Sequence, residues 1–256
     1  MRHIRQDQIL QILTMRKKIT IEDLKDELQV SIETIRRDLK TLEEEGALKR
    51  VYGGAILTSP RGVETEYSKR ANLNILEKQA IAKRVLDLIH DGDTLAIDVG
   101  ATTFEVVRLL GGKSNLTVLT NAVQVALHLL YNTQHKVYLL GGLLRNGEDS
   151  TSGAMCVAGL ENYCVDKAII SVSGITSAFE LTDYFEPENI VRKKMMEIAG
   201  QVIILADYSK FGITAFSKLC SLGKADTLVT DWQTAAKIIH QLNAEFKNLE
   251  VLVAEQ

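Results

Sequence analysis

The chain has 256 residues, of which 46% are hydrophobic and 25% charged, with a formal net charge of −3. That length holds one large or two ordinary domains. It contains no run of about 18 apolar residues for a membrane helix, and the opening MRHIRQDQIL has no apolar export signal, so a cytoplasmic protein is expected. Cys156, Cys164 and Cys220 show no C-x-x-C spacing and the five histidines no ligand cluster, so neither a disulfide framework, a metal site nor a cofactor is expected.

Residues 3–14 carry Ile9, Ile12 and Leu13 at helical spacing. Thr20-Ile21-Glu22-Asp23 has the form of a capping box, and Ile21, Leu24 and Leu28 give a second short apolar stripe. Only Gln29 and Val30 separate it from a third helix opening at Ser31, whose hydroxyl can accept a first-turn amide. Ile32, Ile35, Leu39 and Leu42 form one apolar face, which turns Thr34, Arg36, Arg37 and Lys40 outward. Gly46 suits the left-handed end of that helix. Lys49, Arg50 and Tyr52 follow, with Gly53-Gly54 as a hairpin turn. Three short helices, a tight turn between the second and third, and a basic hairpin describe a winged helix-turn-helix over residues 1–57. In it Arg36 and Arg37 would meet base edges or phosphates, and Lys40, Lys49 and Arg50 would hold phosphates. The same spacing also fits a plain three-helix bundle with a solvated Arg-Arg pair.

Charge is local here. Residues 1–57 hold 11 Lys/Arg against 10 Asp/Glu, and residues 58–256 hold 19 against 23. The basic residues gather on the third helix and the hairpin, while Glu43, Glu44 and Glu45 lie at that helix's far end. Screening over about 10 Å makes the local sign the one that counts. The weak overall charge implies modest non-specific affinity, which paired reading heads in a dimer or tetramer would offset.

Residues 58–74 lack an apolar period and include Pro60, and read as a linker. From Ile75 to the end, helices and strands alternate. Strands are expected at Thr94–Asp98, Leu116–Thr120, Val137–Leu140, Ala168–Val172, Val202–Ala206, Thr227–Thr230 and Val251–Val253. Helices are expected around Ile81–Ile89, at 104–110, 123–130, 188–200 and 234–246. Continuous apolar runs mark strands buried on both faces of a mostly parallel sheet, giving an α/β domain over 75–256. Such sheets bind ligands at the carboxyl ends of their strands.

Polar residues gather at those ends: Asp98, Gly100, Thr102 and Thr103 after the first strand, Thr120-Asn121 after the second, Gly141-Gly142 after the third, and Asp207, Ser209 and Lys210 after the strand at 202–206. A glycine turn with hydroxyls at a helix N-terminus can hold an anion through backbone N–H groups and the helix dipole. Each end alone also reads as a cap or turn; four on one sheet favour a phosphate-bearing ligand. Gly112-Lys113-Ser114 imitates the end of a P-loop, but Val107 stands where its first glycine belongs. Met195-Met196 reads as core.

The run ETIRRDLKTLEEEGALKRVYGGAI resembles the N-terminal signature of the DeoR family of bacterial transcriptional regulators, with Thr34-Ile35-Arg36-Arg37-Asp38-Leu39 followed by Arg50, Gly53, Gly54 and Ala55. The rest of the chain is similar to the sensor domain of that family. The matching positions are Asp98/Gly100/Thr102/Thr103, Thr120/Asn121, Leu140/Gly141/Gly142, Glu188/Arg192, and Leu205 through Gly212. The resemblance implies a fold like that of sugar-phosphate isomerases and a phosphorylated sugar or polyol as effector, bound by Asp98, Gly100, Thr102, Thr103, Asn121, Gly141, Gly142, Glu188, Arg192 and Lys210. Ala101 replaces a usual hydroxyl residue, Arg192 a common Lys, and Ser173 a common Asp. Ser173-Gly174-Ile175 with Asp183-Tyr184 resembles the glycerol-3-phosphate repressor branch.

Two functions follow. One is a DNA-binding regulator, a repressor released by a phosphorylated metabolite. The other is a sugar-phosphate isomerase with a fused DNA-binding domain, using Glu188 or Asp98 as base and Lys210 as oxyanion partner. Ser173 in place of Asp, and a DNA-binding domain with no part in isomerisation, weigh against the enzyme.

Overall fold

The computed structural model describes residues 2–16, 18–44, 48–56 and 64–256. Two units arise from it, Met1–Glu64 and Thr65–Gln256.

The first unit holds α1 (Arg2–Arg16), β1 (Lys18–Thr20), α2 (Ile21–Leu28), α3 (Ile32–Glu44), β2 (Lys49–Val51) and β3 (Gly54–Ile56). Thr20 and Asp23 close the capping box on α2, and Gln29 ends it in the left-handed region at φ 51°. That single residue makes the turn into α3 tight. Ser31 Oγ accepts the Thr34 N–H at 3.2 Å and caps α3. Ile9, Leu13, Leu24, Ile35, Leu39, Leu42 and Leu48 share one core, each worth about 1.5–3 kcal/mol in removal from water. Ile32, counted on the apolar face from its spacing, is 37% exposed, because it sits in the first turn beyond that core.

The strands form an antiparallel sheet in the order β1-β3-β2. Val51 pairs with Gly54, so the hairpin turn is Tyr52-Gly53, one residue earlier than the sequence suggested. Gly53 takes φ +79°. Gly54 is instead a strand residue packed against β1: a Cβ there would stand 2.0 Å from the Ile19 carbonyl oxygen. The expected helix stop at Gly46, the acidic Glu45, Leu57 and Pro60 lie outside the described residues.

In the second unit, α4 (Tyr67–Asn72) and α5 (Ile75–Leu86) precede β4 (Thr94–Ile97), α6 (Ala101–Leu109), β5 (Thr117–Thr120), α7 (Val123–Asn132) and β6 (Lys136–Leu139). After β7 (Leu143–Arg145), β8 (Ser150–Ser152), α8 (Ala154–Leu160), β9 (Val165–Ser171), β10 (Gly174–Ile175) and β11 (Glu180–Asp183) come α9 (Glu186–Glu197), β12 (Ala199–Leu205), β13 (Ser217–Ser221), β14 (Thr227–Asp231), α10 (Ala236–Glu245) and β15 (Glu250–Ala254). Seven strands pair in parallel in the order β15-β14-β12-β9-β4-β5-β6. These are the seven runs expected from the sequence. Helix α4 occupies 67–72, inside the stretch expected to be a structureless linker.

Alternate residues of each strand feed two cores. Leu95, Ile97, Val118, Ile169 and Ile203 pack under Ile81, Val85, Val106 and Leu129 of α5, α6 and α7. Ala96, Leu119, Ile170, Ile204 and Leu228 pack under Leu160, Val191, Met195 and Leu242 of α8, α9 and α10. The chain builds outward from β4 through β5 to β6, then returns to β9 at β4's other side and builds through β12, β14 and β15. The order reverses between β4 and β9, and such a switch point leaves a crevice at the carboxyl ends of the strands.

Candidate functional site

On α3, Arg36, Arg37 and Lys40 are exposed, whereas Asp38 among them is fully buried. Asp38 accepts a bond from Arg5 Nε at 2.5 Å and so ties α1 to α3. The motif thus divides by function: two guanidiniums outward, one carboxylate inward, and Leu39 in the core. Thr34 and Ser31 share a hydroxyl hydrogen bond of 2.9 Å at the head of α3. Lys40 lies 3.7 Å from Glu44, an exposed pair. Arg50 pairs with Glu43, Nε to Oε2 at 2.6 Å, and its backbone N–H donates to Glu43 Oε1 at 2.9 Å. This pair is 43% and 34% exposed. Exposed pairs are worth about 0–1 kcal/mol, so the guanidinium can exchange its carboxylate for a phosphate at little cost. Tyr52 is fully exposed at the hairpin tip beside Gly53. The Lys49 side chain lies outside the described ones.

At the switch point, Gly100 precedes α6, and a Cβ on it would stand 2.0 Å from Ser171 Oγ at the end of β9. Only glycine lets the β4 and β9 ends approach so closely. Thr103 Oγ1 donates to the Asp98 and Gly100 carbonyls, each at 2.9 Å. Its hydroxyl is therefore a cap rather than an outward donor, and Thr102 is buried beside it. Asn121 Nδ2 donates to the Thr151 carbonyl at 3.0 Å and joins β5 to β8. Gly141 is exposed after β6, and Gly142 lets β7 run against the Ser152 carbonyl.

Arg192, expected as an anion receptor, is instead 4% exposed and saturated by its own chain. Its Nε donates to Asp98 Oδ2 at 2.6 Å, its Nη1 lies 3.0 Å from Asp183 Oδ2, and its Nη2 lies 3.4 Å from Glu188 Oε2. Glu188 also accepts Ser150 Oγ at 2.6 Å and Arg145 Nη1 at 3.1 Å, and the Arg145 guanidinium stacks 4.2 Å over Phe185. Burial pushes the Asp98 carboxyl up to about 7 against the pull of Arg192. Three carboxylates and two guanidiniums form a cluster that does not attract an anion. Ser173 Oγ donates to Asp183 at 3.0 Å; an aspartate there would add another carboxylate to the cluster. Arg145, Ser150 and Asp183 were not singled out as members of this network, because their partners lie 10 to 43 residues away.

A second polar group lies along the same carboxyl edge. Asp207 accepts Asn74 Nδ2 at 3.1 Å and the Ser209 N–H at 3.0 Å. Burial pulls the Lys78 ammonium down to about 8, and it donates to the Arg70 and Leu73 carbonyls at the end of α4. Arg70 in turn forms a bidentate pair with Glu148 at 2.9 and 2.5 Å. Helix α4 is thereby tied to the β7–β8 loop at one end and to the end of β12 at the other. Lys210 is half-buried beside this group.

Three buried oxygens at strand ends have no hydrogen-bond partner among the described residues: Asp98 Oδ1 after β4, Asn121 Oδ1 after β5 and Asp207 Oδ2 after β12. Buried acceptors of this kind call for donors.

Residues 5–61 match the DeoR-like helix-turn-helix domain, and residues 73–232 match the DeoR C terminal sensor domain. The chain belongs to the DeoR family. It is 37% identical to the HTH-type transcriptional repressor GlcR of Bacillus subtilis, over 97% of this chain and 95% of that one. It is 30% identical to the glycerol-3-phosphate regulon repressor of Escherichia coli, over 96% of this chain and 98% of that one. Among solved structures it is similar to a D-ribose-5-phosphate isomerase in complex with phospho-erythronic acid, at 18% identity and a TM-score of 0.40 over 52% of each chain. That distant likeness carries nothing about activity. This DeoR protein is a DNA-binding transcriptional regulator and not an enzyme. Asp98 and Glu188, the bases required by the isomerase alternative, are engaged by Arg192. No helix among the described residues is long and apolar enough to cross a membrane.

Proposed function

We propose that this DeoR protein is a cytoplasmic repressor of carbohydrate or polyol metabolism genes, released from its operator by a phosphorylated sugar or glycerol 3-phosphate. The observation that carries the ligand class is the set of three unpartnered acceptors at the ends of β4, β5 and β12. A polyol offers several hydroxyl donors at once. The first-turn amides of α6 and the Lys210 ammonium offer the complementary donors for its phosphate. Gly100 and Thr102 shape that turn. Glu188 and Arg192 act behind it, by holding Asp98 in place. Thr103, Gly141 and Gly142 hold the backbone of the crevice.

On the operator, Arg36 and Arg37 read base edges or phosphates, Ser31 and Thr34 fix the head of α3, and Lys40, Lys49, Arg50, Tyr52 and Gly53 meet the backbone. The protein works as a homo-oligomer, which pairs two weakly charged heads on one site. Release requires the ligand to favour the arrangement that does not bind DNA, since equal affinity for both states shifts nothing. The tie of α4 to both sides of the carboxyl edge gives such a ligand a mechanical handle on the chain that leads into the helix-turn-helix.

The test is thermal stability of the full chain with glycerol 3-phosphate, hexose and pentose phosphates, free glycerol and inorganic phosphate. A ligand at 100 times its Kd adds about 2.7 kcal/mol. One ester should shift the transition strongly, free glycerol and phosphate weakly, and Lys210→Ala should remove most of the shift. Equal shifts from phosphorylated and free sugars would overturn the ligand reading. For DNA, Arg36→Ala with Arg37→Ala should weaken binding and lower the salt slope by about 1.8, from about 0.9 per phosphate contact. An unchanged operator affinity would sink the α3 assignment.

A further inference from the structure

Strand β6 ends the seven-stranded sheet with β5 as its single neighbour. Its Lys136 N–H donates to the Leu116 carbonyl, and the Leu140 N–H just beyond it donates to Thr120. Along a parallel ladder the amides alternate in direction, so those of Val137 and Leu139 face away from β5. An edge of this kind is a template for another strand, and monomeric proteins blunt it with charge, proline or a covering helix. This one carries Lys136 alone, followed by Val137, Tyr138 and Leu139, of which Tyr138 is 44% and Leu139 49% exposed.

The surroundings are apolar too. Of the 16 exposed large hydrophobic residues among the described ones, nine fall between Leu127 and Tyr163, on β6 and the elements directly before and after it. Leu130 of α7 is 63% exposed, Leu143 and Leu144 of β7 are 73% and 59%, and Met155 of α8 is 74%. The charged residues of this segment are partly turned inward, Arg145 to Glu188 and Glu148 to Arg70. Together these side chains offer on the order of 1,000 Å², against about 800 Å² per partner in a standard stable interface. That is a large exposed apolar area for a monomer, and depletion of charge with Tyr, Met and Leu in its place is the composition of an interface between like chains.

We infer that a second copy of this chain seats on the β6 edge, by an isologous contact centred on β6 and flanked by α7, β7 and α8. The inference rests on the homo-oligomer reading above and gives it a surface. A two-fold contact is self-complementary, and β6 presents the same outward amides and apolar side chains to its own copy. Weakly charged single heads supply the reason for pairing; the β6 edge supplies the area.

The test uses the full chain in sedimentation equilibrium at tens of micromolar. The double variant Leu139→Lys with Leu143→Glu should sediment at half the wild-type mass, while Leu76→Lys, exposed elsewhere on α5, should leave the mass unchanged. Melting of each variant is followed by circular dichroism. A wild type that is already a monomer would overturn both the oligomer reading and this inference. A wild-type oligomer that the double variant leaves intact would overturn the surface alone. Should the double variant fail to fold, hydrogen exchange on the wild type decides. The Val137 and Leu139 amides should exchange at least tenfold more slowly than those of the exposed Asn146-Gly147 turn, and equal rates would overturn the inference.

Discussion

Replacing Arg192 with methionine separates a structural cluster from a ligand contact. The guanidinium is 4% exposed and lies within 3.4 Å of three carboxylates, Asp98, Asp183 and Glu188, each buried. Removing one partner of a buried ionic cluster leaves charge uncompensated and costs about 3–5 kcal/mol. In a domain of this size each kcal/mol moves the melting point by about 2–4 °C, so the drop is roughly 6–20 °C. Arg192→Lys keeps the charge, but one ammonium cannot meet three carboxylates arranged around a planar fork, and the loss falls to about 2–3 kcal/mol, the scale of a charged hydrogen bond. The loss in the methionine variant also depends on pH. Without Arg192 the three carboxylates titrate higher in the folded chain than in the unfolded one. The folded form then holds more protons in the window between those values, so stability falls as pH rises from about 5 to 8. Trp232 is the single tryptophan of the chain and lies in the second unit. Its fluorescence follows that unit alone through a thermal melt. A methionine variant melting within about 2 °C of the wild type at pH 7.5, yet blind to every phosphate ester, would refute the structural role and return Arg192 to the ligand.

Further outcomes follow from the same geometry. Gly54→Ala places a Cβ 2.0 Å from the Ile19 carbonyl oxygen; pushing β3 from β1 should cost about 1–3 kcal/mol and weaken operator binding, and a variant with unchanged melting and affinity would contradict that packing. Burial holds the Asp98 carboxyl at about 7, above its unfolded value, so the folded chain takes up a proton that the unfolded chain releases between about pH 4 and 7. Wild-type stability should therefore decline as pH rises through that window, and Asp98→Asn should flatten the profile in Trp232 melts between pH 5 and 8. Arg70→Ala breaks the bidentate pair with Glu148, whose members are 16% and 7% exposed. Ligand-induced melting shifts should persist while the ligand concentration needed to release operator rises several-fold; identical release curves would discard the α4 tie as a coupling element.

The seven sheet strands were legible because each is covered on both faces, so nearly every position is apolar and the run stands out without a period. The elements that were missed lack that signal. Strands β1, β7 and β8 have three residues each and β10 has two, too few for any alternation to register. Helix α4 has no buried residue. A helix held by Arg70, Lys78 and Asn74 rather than by an apolar stripe looks, in sequence, like a linker. The turn at Tyr52-Gly53 was displaced by one because both Gly53 and Gly54 invite a turn, and what separates them is a neighbour, Ile19, more than thirty residues back.

The site shows the same division between residue type and residue partner. On α3 the outward Arg36 and Arg37 could be read from the helical face alone, because exposure follows periodicity. Asp38 could not: its bond to Arg5 spans 33 residues, and only packing of α1 on α3 makes the carboxylate internal. Arg192 carried the opposite error. Its position at the carboxyl edge of the sheet suited an anion, and its type did too. Asp98 lies 94 residues earlier and Asp183 nine residues before it on another strand, and folding brings both onto one guanidinium. Once they are there the cation is spent. The donors left for a phosphate are the α6 amides and Lys210, and the acceptors left for hydroxyls are the unpaired oxygens of Asp98, Asn121 and Asp207. The ligand's chemistry is therefore set by what the internal ion pairs leave over, and ion pairing is a property of the folded edge rather than of any motif along the chain.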